Sequence, residues 1–280
     1  MQRIGHLLLL LPVASFGFGQ PAAGGTSSLT RAEAQALVDR ALANELKAAQ
    51  DESHPMRFLL RQASPRLTTT KEILETKDGE VARLLAVNDK PLSPVDEQRE
   101  QARLNDLLSN PGKQRHRKQA EYDDDSRALK VLRALPAAFL YEYEGVTDHP
   151  AGKLEKFTFR PNPNYSPPDL ETEVLSDMAG EILIDPVHER VTRLEGHLQQ
   201  DVDFGWGILG RLNKGGWIAI DQADVGGGEW RYLHFKMQMN GRVLFKTRVF
   251  DVTDDESRFA PLPVGLSYQK AVEMLHQEAK

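Results

Sequence analysis

The chain has 280 residues, with 35 Lys and Arg against 41 Asp and Glu, and it contains no cysteine. The negative balance argues against nucleic acid as a partner, because phosphate binding needs a basic surface. Without cysteine the chain can form neither a disulfide nor the lipid-bearing cysteine of a bacterial lipoprotein. A chain of this length can bury a sizeable core as one large domain or as two small ones, and we expect one.

The N-terminus has the pattern of a secretory signal peptide. Arg3 precedes an apolar run that continues to Val13, and small residues follow up to Gly19. The apolar run is too short for a membrane span, which needs about 20 residues. We therefore expect residues 1–19 to be a Sec-type signal peptide that exports residues 20–280, as one domain, to the periplasm or the medium.

The first predicted elements after the signal peptide are a helix and three strands. Thr30 and Glu33 have the spacing of a capping box, and apolar residues then recur at helical intervals, which predicts a helix over residues 31–50. Three apolar runs follow, and Asp78-Gly79 between the second and the third predicts a tight hairpin. The three runs are residues 56–60, 71–76 and 81–87.

The charged segment at about residues 93–135 predicts a helical insertion. Ser93 fits an N-cap with Pro94 in the first turn, the residues 110–112 predict a break, and Pro136 predicts the end. The segment contains a basic cluster and an acidic run, and opposite charges this close in sequence favour a solvated, self-paired helix face. The alternative is a patch for phosphate or acidic lipid.

From Phe139 to about Val252 the pattern predicts seven or eight antiparallel strands. Apolar and polar residues alternate most clearly from Thr192 to Phe204, which indicates one buried face and one wet face. In the last hairpin, parity predicts a three-residue loop in which Gly241 has a positive φ. The expected fold class is α+β, a large curved antiparallel sheet with an N-terminal helix and a helical insertion packed on it.

Each chemical motif in the chain lacks a residue that its chemistry needs. The histidines are scattered, and His188-Glu189 lacks the second histidine of a zinc-binding helix, so we expect no metal. Residues 205–210 lack the Lys-Ser/Thr pair of a phosphate loop, and residues 265–269 lack the second glycine of a nucleophile elbow. Residues 251–257 lack the glycine and glutamate of a calcium loop and predict a solvated acidic turn. We expect no catalytic residue, no cofactor and no enzymatic activity.

Large apolar side chains accumulate on the strands after residue 205, and aromatic and methionine side chains adapt well to flexible apolar ligands. An ordinary core beneath the helices is the alternative. Trp230 and Tyr232 share one parity, and Phe235 and Met237 share the other, which places the two pairs on opposite faces of a regular strand. The candidate ligand-binding residues are Trp217, Trp230, Phe235, Met237 and Phe245.

The segment Met178–Asp185, running into residues 190–194, resembles a strand-turn-strand segment of the periplasmic lipoprotein carriers, the LolA-like proteins. Residues 71–91 and 135–145 also look like uncharacterised exported bacterial proteins of this group. The order of helix, three strands, helical insertion and antiparallel meander is similar to the half-barrel of that superfamily.

That resemblance implies an envelope protein whose half-barrel binds an apolar or lipidated ligand, as a lipid or lipoprotein carrier does. A lipid or a lipidated protein is then the expected partner, and a peripheral contact with the membrane is compatible with it. The alternative function is a protein-interaction or envelope-stress sensor module that uses the charged helical insertion. The sequence leaves the oligomeric state open.

Overall fold

The computed structural model describes residues 29–204, 210–243 and 246–277. The predicted signal peptide, residues 1–19, lies outside the described residues. Within them, five α-helices accompany one sheet of 13 strands. The helices are α1 (Arg31–Ala48), α2 (Pro94–Ser109), α3 (Pro111–Ala138), α4 (Leu170–Glu173) and α5 (Tyr268–Gln277). The strands are β1 (Met56–Ala63), β2 (Thr68–Leu74), β3 (Val81–Val87), β4 (Lys90–Pro91), β5 (Phe139–His149), β6 (Gly152–Pro161), β7 (Met178–Asp185), β8 (Arg190–Leu198), β9 (Val202–Phe204), β10 (Gly210–Leu212), β11 (Trp217–Asp224), β12 (Trp230–Val243) and β13 (Lys246–Pro261).

The strands form one open antiparallel sheet. Their order is β4-β3-β2-β1-β13-β12-β11-β8-β7-β6-β5, and β9 and β10 extend the sheet beside β12. The two ends of this path do not pair with each other, so the curved sheet is a half-barrel and not a closed barrel. This confirms the predicted α+β class. No helix of the described residues is long and apolar enough to cross a membrane.

One face of the sheet carries α1, and we call it the inner face. It is marked by a row of directly opposed residues across five strands, β6, β7, β8, β11 and β12. Opposed residues of antiparallel strands point to the same face. The row consists of Phe157, Ile182, Leu194, Ile220 and Phe235. Helix α1 and this face form the larger hydrophobic core.

The other face, which we call the outer face, carries α2 and α5 at the β2–β3 end of the sheet. Leu74 and Val81 lie directly opposite each other and are fully buried beneath these helices. The guanidinium of Arg83 donates to the Leu275 carbonyl oxygen of α5 at 3.1 Å and to Glu97 of α2 at 2.8 Å. The sequence patterns above did not predict α5. The sheet therefore has helices on both faces, at opposite ends.

The local signals of the sequence mostly hold. The capping box of Thr30 and Glu33 is present, and α1 begins at Arg31. Gly79 has a φ of 92°, as the predicted hairpin requires, and the helical insertion breaks at Asn110. Pro136 does not end α3, which continues to Ala138, because a proline in the last turn removes only one hydrogen bond.

Two predictions for the strands are wrong in detail. Nine strands, β5 to β13, follow α3 instead of seven or eight, and the last of them ends at Pro261. Residues 251–257 form part of β13 and not an acidic turn. There Asp255 is paired with the ring of His234 on the neighbouring strand, at 2.6 Å, so its carboxylate belongs to a cross-strand pair.

The predicted three-residue loop at Gly241 is also wrong. Gly241 lies inside β12, opposite Arg248, and the two strands connect through residues 244–245, which lie outside the described residues. The glycine serves a close approach of strands, because a β-carbon there would lie 2.3 Å from the carbonyl oxygen of Arg211 in β10. A connection of two residues reverses the parity, so Phe235 lies opposite Asp254.

Some charges of the helical insertion are paired with each other, but no ion pair joins its basic cluster to its acidic run among the described residues. Lys113 contacts Asp106 across the break between α2 and α3, and Arg127 contacts Asp124 one turn away on α3. Exposed pairs of this kind contribute only about 0.2–1 kcal/mol each to stability. The insertion is therefore held to the sheet by other contacts.

Candidate functional site

The inner face is apolar along its length but is not equally covered. In β6 and β7, under α1, Phe157 and Ile182 are 1% and 0% exposed. In the same row on β8, β11 and β12, Leu194, Ile220 and Phe235 are only partly buried, and Tyr232 on β12 is 50% exposed. We call this stretch the inner groove. It is lined by Leu194, Ile220, Tyr232, Phe235, Met237 and Val252.

Helix α3 runs as a strap from the β2–β3 hairpin to β5 and is fixed mainly at its ends. The helix has 28 residues, a length of about 42 Å. Its buried residues are Gln114 near the start and Leu135 and Ala138 near the end, and no residue between Gln114 and Leu135 is buried. Most residues of α3 are polar or charged, so the helix buries little apolar surface. Its attachment therefore depends on a few specific contacts at the two ends.

The first end of α3 is fastened to the β2–β3 hairpin by hydrogen bonds to the backbone. The Gln114 amide donates to the carbonyl oxygen of Asp78 at 2.9 Å, and the Lys118 ammonium donates to that of Lys77 at 2.6 Å. The Glu121 carboxylate accepts from the backbone N–H of Glu80 at 3.0 Å. Any side chain at position 79 would collide with α3, because a β-carbon there lies 2.6 Å from Glu121.

Carboxyl groups gather beside this attachment, on the inner face of β13 and at the ends of β2 and β3. Burial raises the pKa of Glu256 to about 8, and the neighbouring Glu80 and Glu75 raise it further. Burial and the nearby Glu121 raise the pKa of Glu80 to about 7. Burial also raises the pKa of Asp254 above its ordinary value. This end of the inner groove is acidic.

A buried ion pair ties α1 to the sheet at the edge of the groove. The guanidinium of Arg190 donates two hydrogen bonds to Glu45 of α1, at 2.8 and 3.0 Å, and the Val191 N–H donates a third at 2.9 Å. The guanidinium carbon also lies 5.3 Å from the centre of the Trp230 ring. Two hydrogen bonds in one plane fix the orientation of both side chains.

The structure brings three of the five sequence-predicted binding residues to the inner face. Phe235 and Met237 line the inner groove, and Trp230 lies at its edge against Arg190. Trp217 lies on the outer face, where its ring stacks on His197 with centroids 6.3 Å apart. Phe245 lies outside the described residues. The sequence-predicted set is therefore only partly brought together.

A β-bulge explains why parity separated residues that the fold brings together. Asp221 lies opposite His234, but Gln222 lies opposite Tyr232, so Leu233 is an additional residue in β12. One extra residue shifts the parity of everything before it. Tyr232 and Phe235 consequently share the inner face, although the sequence assigns them to opposite faces.

The outer face offers a second, polar depression, but its charges are already paired. Its lining includes Lys156 with Glu181, 2.7 Å apart, and Arg193 with Glu195, also 2.7 Å apart. Arg193 contacts Asp221 as well, at 2.5 Å. Among the described residues, no three His, Asp or Glu side chains lie together as a metal site requires. The inner groove is the better candidate site.

Comparison with known proteins gives one structural match. No protein-family model and no curated protein match the chain. A crystal structure of a domain assigned to outer membrane lipoprotein sorting, from Vibrio parahaemolyticus, is similar with a TM-score of 0.33 and 10% sequence identity. The match covers 84% of this chain and 98% of that one. With a TM-score this low, nothing about a ligand or a partner of this chain follows from the match.

Proposed function

We propose that this protein is a non-enzymatic binding protein of the cell envelope that holds the apolar chain of a lipid or a lipidated protein in the inner groove. The observation that carries the proposal is the uneven cover of one continuous apolar face. Helix α1 buries the β6 and β7 part, whereas Phe235, Met237 and the other groove residues stay partly exposed. Apolar surface that stays exposed along one face marks a binding site more often than a surface that only promotes aggregation.

The groove is long enough for an extended chain. From Tyr232 to Met237 the strand β12 runs five residues, about 17 Å at the usual rise of a strand. Each methylene removed from water contributes about 0.8 kcal/mol, so ten buried methylenes supply about 8 kcal/mol before the cost of association is subtracted. Burial of the chain therefore supplies the free energy for binding, and no catalytic group is needed.

The strap α3 supplies a route for loading and release. The helix is held at its first end by hydrogen bonds that Gln114 and Lys118 donate and that Glu121 accepts, so that end opens without exposing a large core. Movement of the strap would uncover the acidic end of the groove. Release of the ligand then follows motion of one helix and needs no rearrangement of the sheet.

The test combines native mass spectrometry with a fluorescent fatty-acid assay. Protein purified from an envelope extract is expected to carry lipid, and the Phe235→Gln variant is expected to bind the fluorescent probe at least about tenfold more weakly, since it loses an apolar contact surface. Trp217→Gln is the matched control, because it removes a large apolar residue of the same sheet on the outer face. Absence of lipid and of probe binding, or equal weakening by both variants, would refute the proposal.

A role of the helical insertion in partner binding is the second candidate. One observation favours it, since Tyr122 on α3 is 66% exposed beside the exposed acidic residues 123–125. Exposed aromatic side chains are enriched at protein interfaces. Replacement of Tyr122 by Ser should then abolish a specific cross-link to an envelope partner and leave lipid binding unchanged; an unchanged cross-link would exclude the role.

A further inference from the structure

The inner face of β13 changes its chemistry along its length, from acidic through apolar to basic. The register between β12 and β13 is continuous from the His234 and Asp255 pair to the Val243 and Lys246 pair. Alternate residues of a regular strand point to the same face. The inner-face residues of β13 are therefore, in order, Glu256, Asp254, Val252, Phe250, Arg248 and Lys246.

The basic end consists of Lys246 and Arg248, both exposed. Neither forms an ion pair with any residue that the structure describes. Arg248 lies opposite Gly241 of β12 and is exposed. Phe250, 36% exposed, is next along the same face and connects these cations to the apolar floor of the inner groove.

The Asp203 carboxylate, near this end, lies on the other face of the sheet. Asp203 accepts two hydrogen bonds from the guanidinium of Arg211, both at 2.6 Å. Arg211 lies opposite Arg242, and Arg242 lies opposite Thr247, so this group occupies the face that Lys246 does not. Among the described residues, Asp203 therefore points away from Lys246 and Arg248.

The acidic end lies far enough from the basic end for each end to interact with a different part of a bound ligand, which orients the ligand in the groove. Six residues separate Arg248 from Asp254, a distance of about 20 Å along the strand. This exceeds the Debye length of about 8 Å at physiological salt, so a charged group at one end interacts with that end alone. At the acidic end the carboxyl groups of Asp254 and Glu256 offer an anion no positive charge, whereas at the basic end the same anion meets Arg248 and Lys246.

We propose that the inner groove binds single-chain amphiphiles with an anionic headgroup, whose carboxylate or phosphate contacts Lys246 and Arg248 while the chain lies along Val252, Met237 and Phe235. This inference rests on the proposed function of the groove. It adds the class of headgroup and the direction of the bound chain. The apolar floor binds the chain, and Lys246 and Arg248 select the charge and fix the orientation.

The test measures binding of three probes of equal chain length by isothermal titration calorimetry, below their micelle concentrations. The probes are hexadecanoate, hexadecyltrimethylammonium and the zwitterionic palmitoyl lysophosphatidylcholine. The wild-type protein is expected to bind hexadecanoate at least about tenfold more tightly than the cationic probe. The variant Lys246→Gln/Arg248→Gln should lose this preference and keep its affinity for the zwitterionic probe within about twofold.

The matched control, Lys153→Gln/Lys270→Gln, removes the same charge from exposed positions elsewhere and should keep the preference. Equal affinity of the wild type for the charged probes, or an equal loss for all probes in the Lys246→Gln/Arg248→Gln variant, overturns the inference but leaves the proposed function standing. Failure of the wild type to bind any of the three probes refutes the proposed function and this inference together. Butyrate and inorganic phosphate binding as tightly as hexadecanoate would show a free-anion site and overturn it too.

Discussion

Replacement of Glu256 by Gln is expected to stabilise the protein at alkaline pH and not at acidic pH. Glu256 lies on the inner face of β13, opposite Leu60 of β1, and burial followed by the nearby Glu80 and Glu75 raises its pKa to about 8. The ordinary value is 4.5. The folded protein therefore holds this proton more tightly than the unfolded chain, and raising the pH removes it at the expense of stability.

The sign and the size of the effect follow from this difference. The contribution of Glu256 to stability is fully present below pH 4.5 and is lost as the pH rises through about 8. A shift from 4.5 to about 8 corresponds to about 5 kcal/mol as an upper limit. The side chain is partly accessible to water and its titration is coupled to that of Glu80, which screens the penalty, so we expect about 2 kcal/mol.

Urea unfolding at pH 5 and at pH 9 measures this effect. The Glu256→Gln variant should match the wild type at pH 5 within about 0.5 kcal/mol and exceed it by about 2 kcal/mol at pH 9. Glu142→Gln is the control, since Glu142 is exposed on the edge strand β5 and its replacement should change neither value. Equal stability of wild type and Glu256→Gln at pH 9, or a gain of the same size at pH 5, would refute the reasoning.

Two further predictions concern the packing of the sheet, and urea unfolding measures both. Gly180→Ala places a β-carbon 1.9 Å from a carbonyl oxygen of the neighbouring strand and should destabilise the protein by about 3 kcal/mol, while Gly112→Ala, whose nearest neighbour is 3.8 Å away, should not. Wild-type stability of Gly180→Ala would contradict this strand spacing. Arg190→Ala leaves Glu45, 8% exposed, without its partner and should lose about 3–5 kcal/mol, whereas Arg40→Ala, which removes an exposed pair, should lose less than about 1 kcal/mol. Similar losses for the two arginine variants would show that the buried pair stabilises the protein no more than the exposed pair does.

The candidate site was partly predictable from sequence. Phe235 and Met237 belong to a run of large apolar residues, and that composition alone identifies the strand as a ligand-binding candidate. Trp217 was assigned to the same site because it shares the composition, but it lies opposite Gln238 and therefore points to the outer face. Composition identifies a strand, whereas the face of each side chain depends on the register with its neighbours.

What the sequence by itself determined is the set of elements whose signals are local. The cap of α1, the hairpin at Gly79, the break at Asn110 and the antiparallel class all depend on residues a few positions apart. Local hydrogen bonds and backbone preferences are sufficient to specify these features, without contacts from distant strands.

Only the tertiary structure decided which side chains share the inner groove and which part of it stays open. Three features set the faces of the central strands. They are the pairing of β1 with β13, far apart in sequence, the extra residue Leu233 in β12 and the two-residue connection after Val243. The packing of α5 on the outer face and of α1 on one part of the inner face left the rest of that face partly exposed. These features depend on contacts between segments distant in sequence, and a shift of one residue at any of them reverses the face of every side chain that follows.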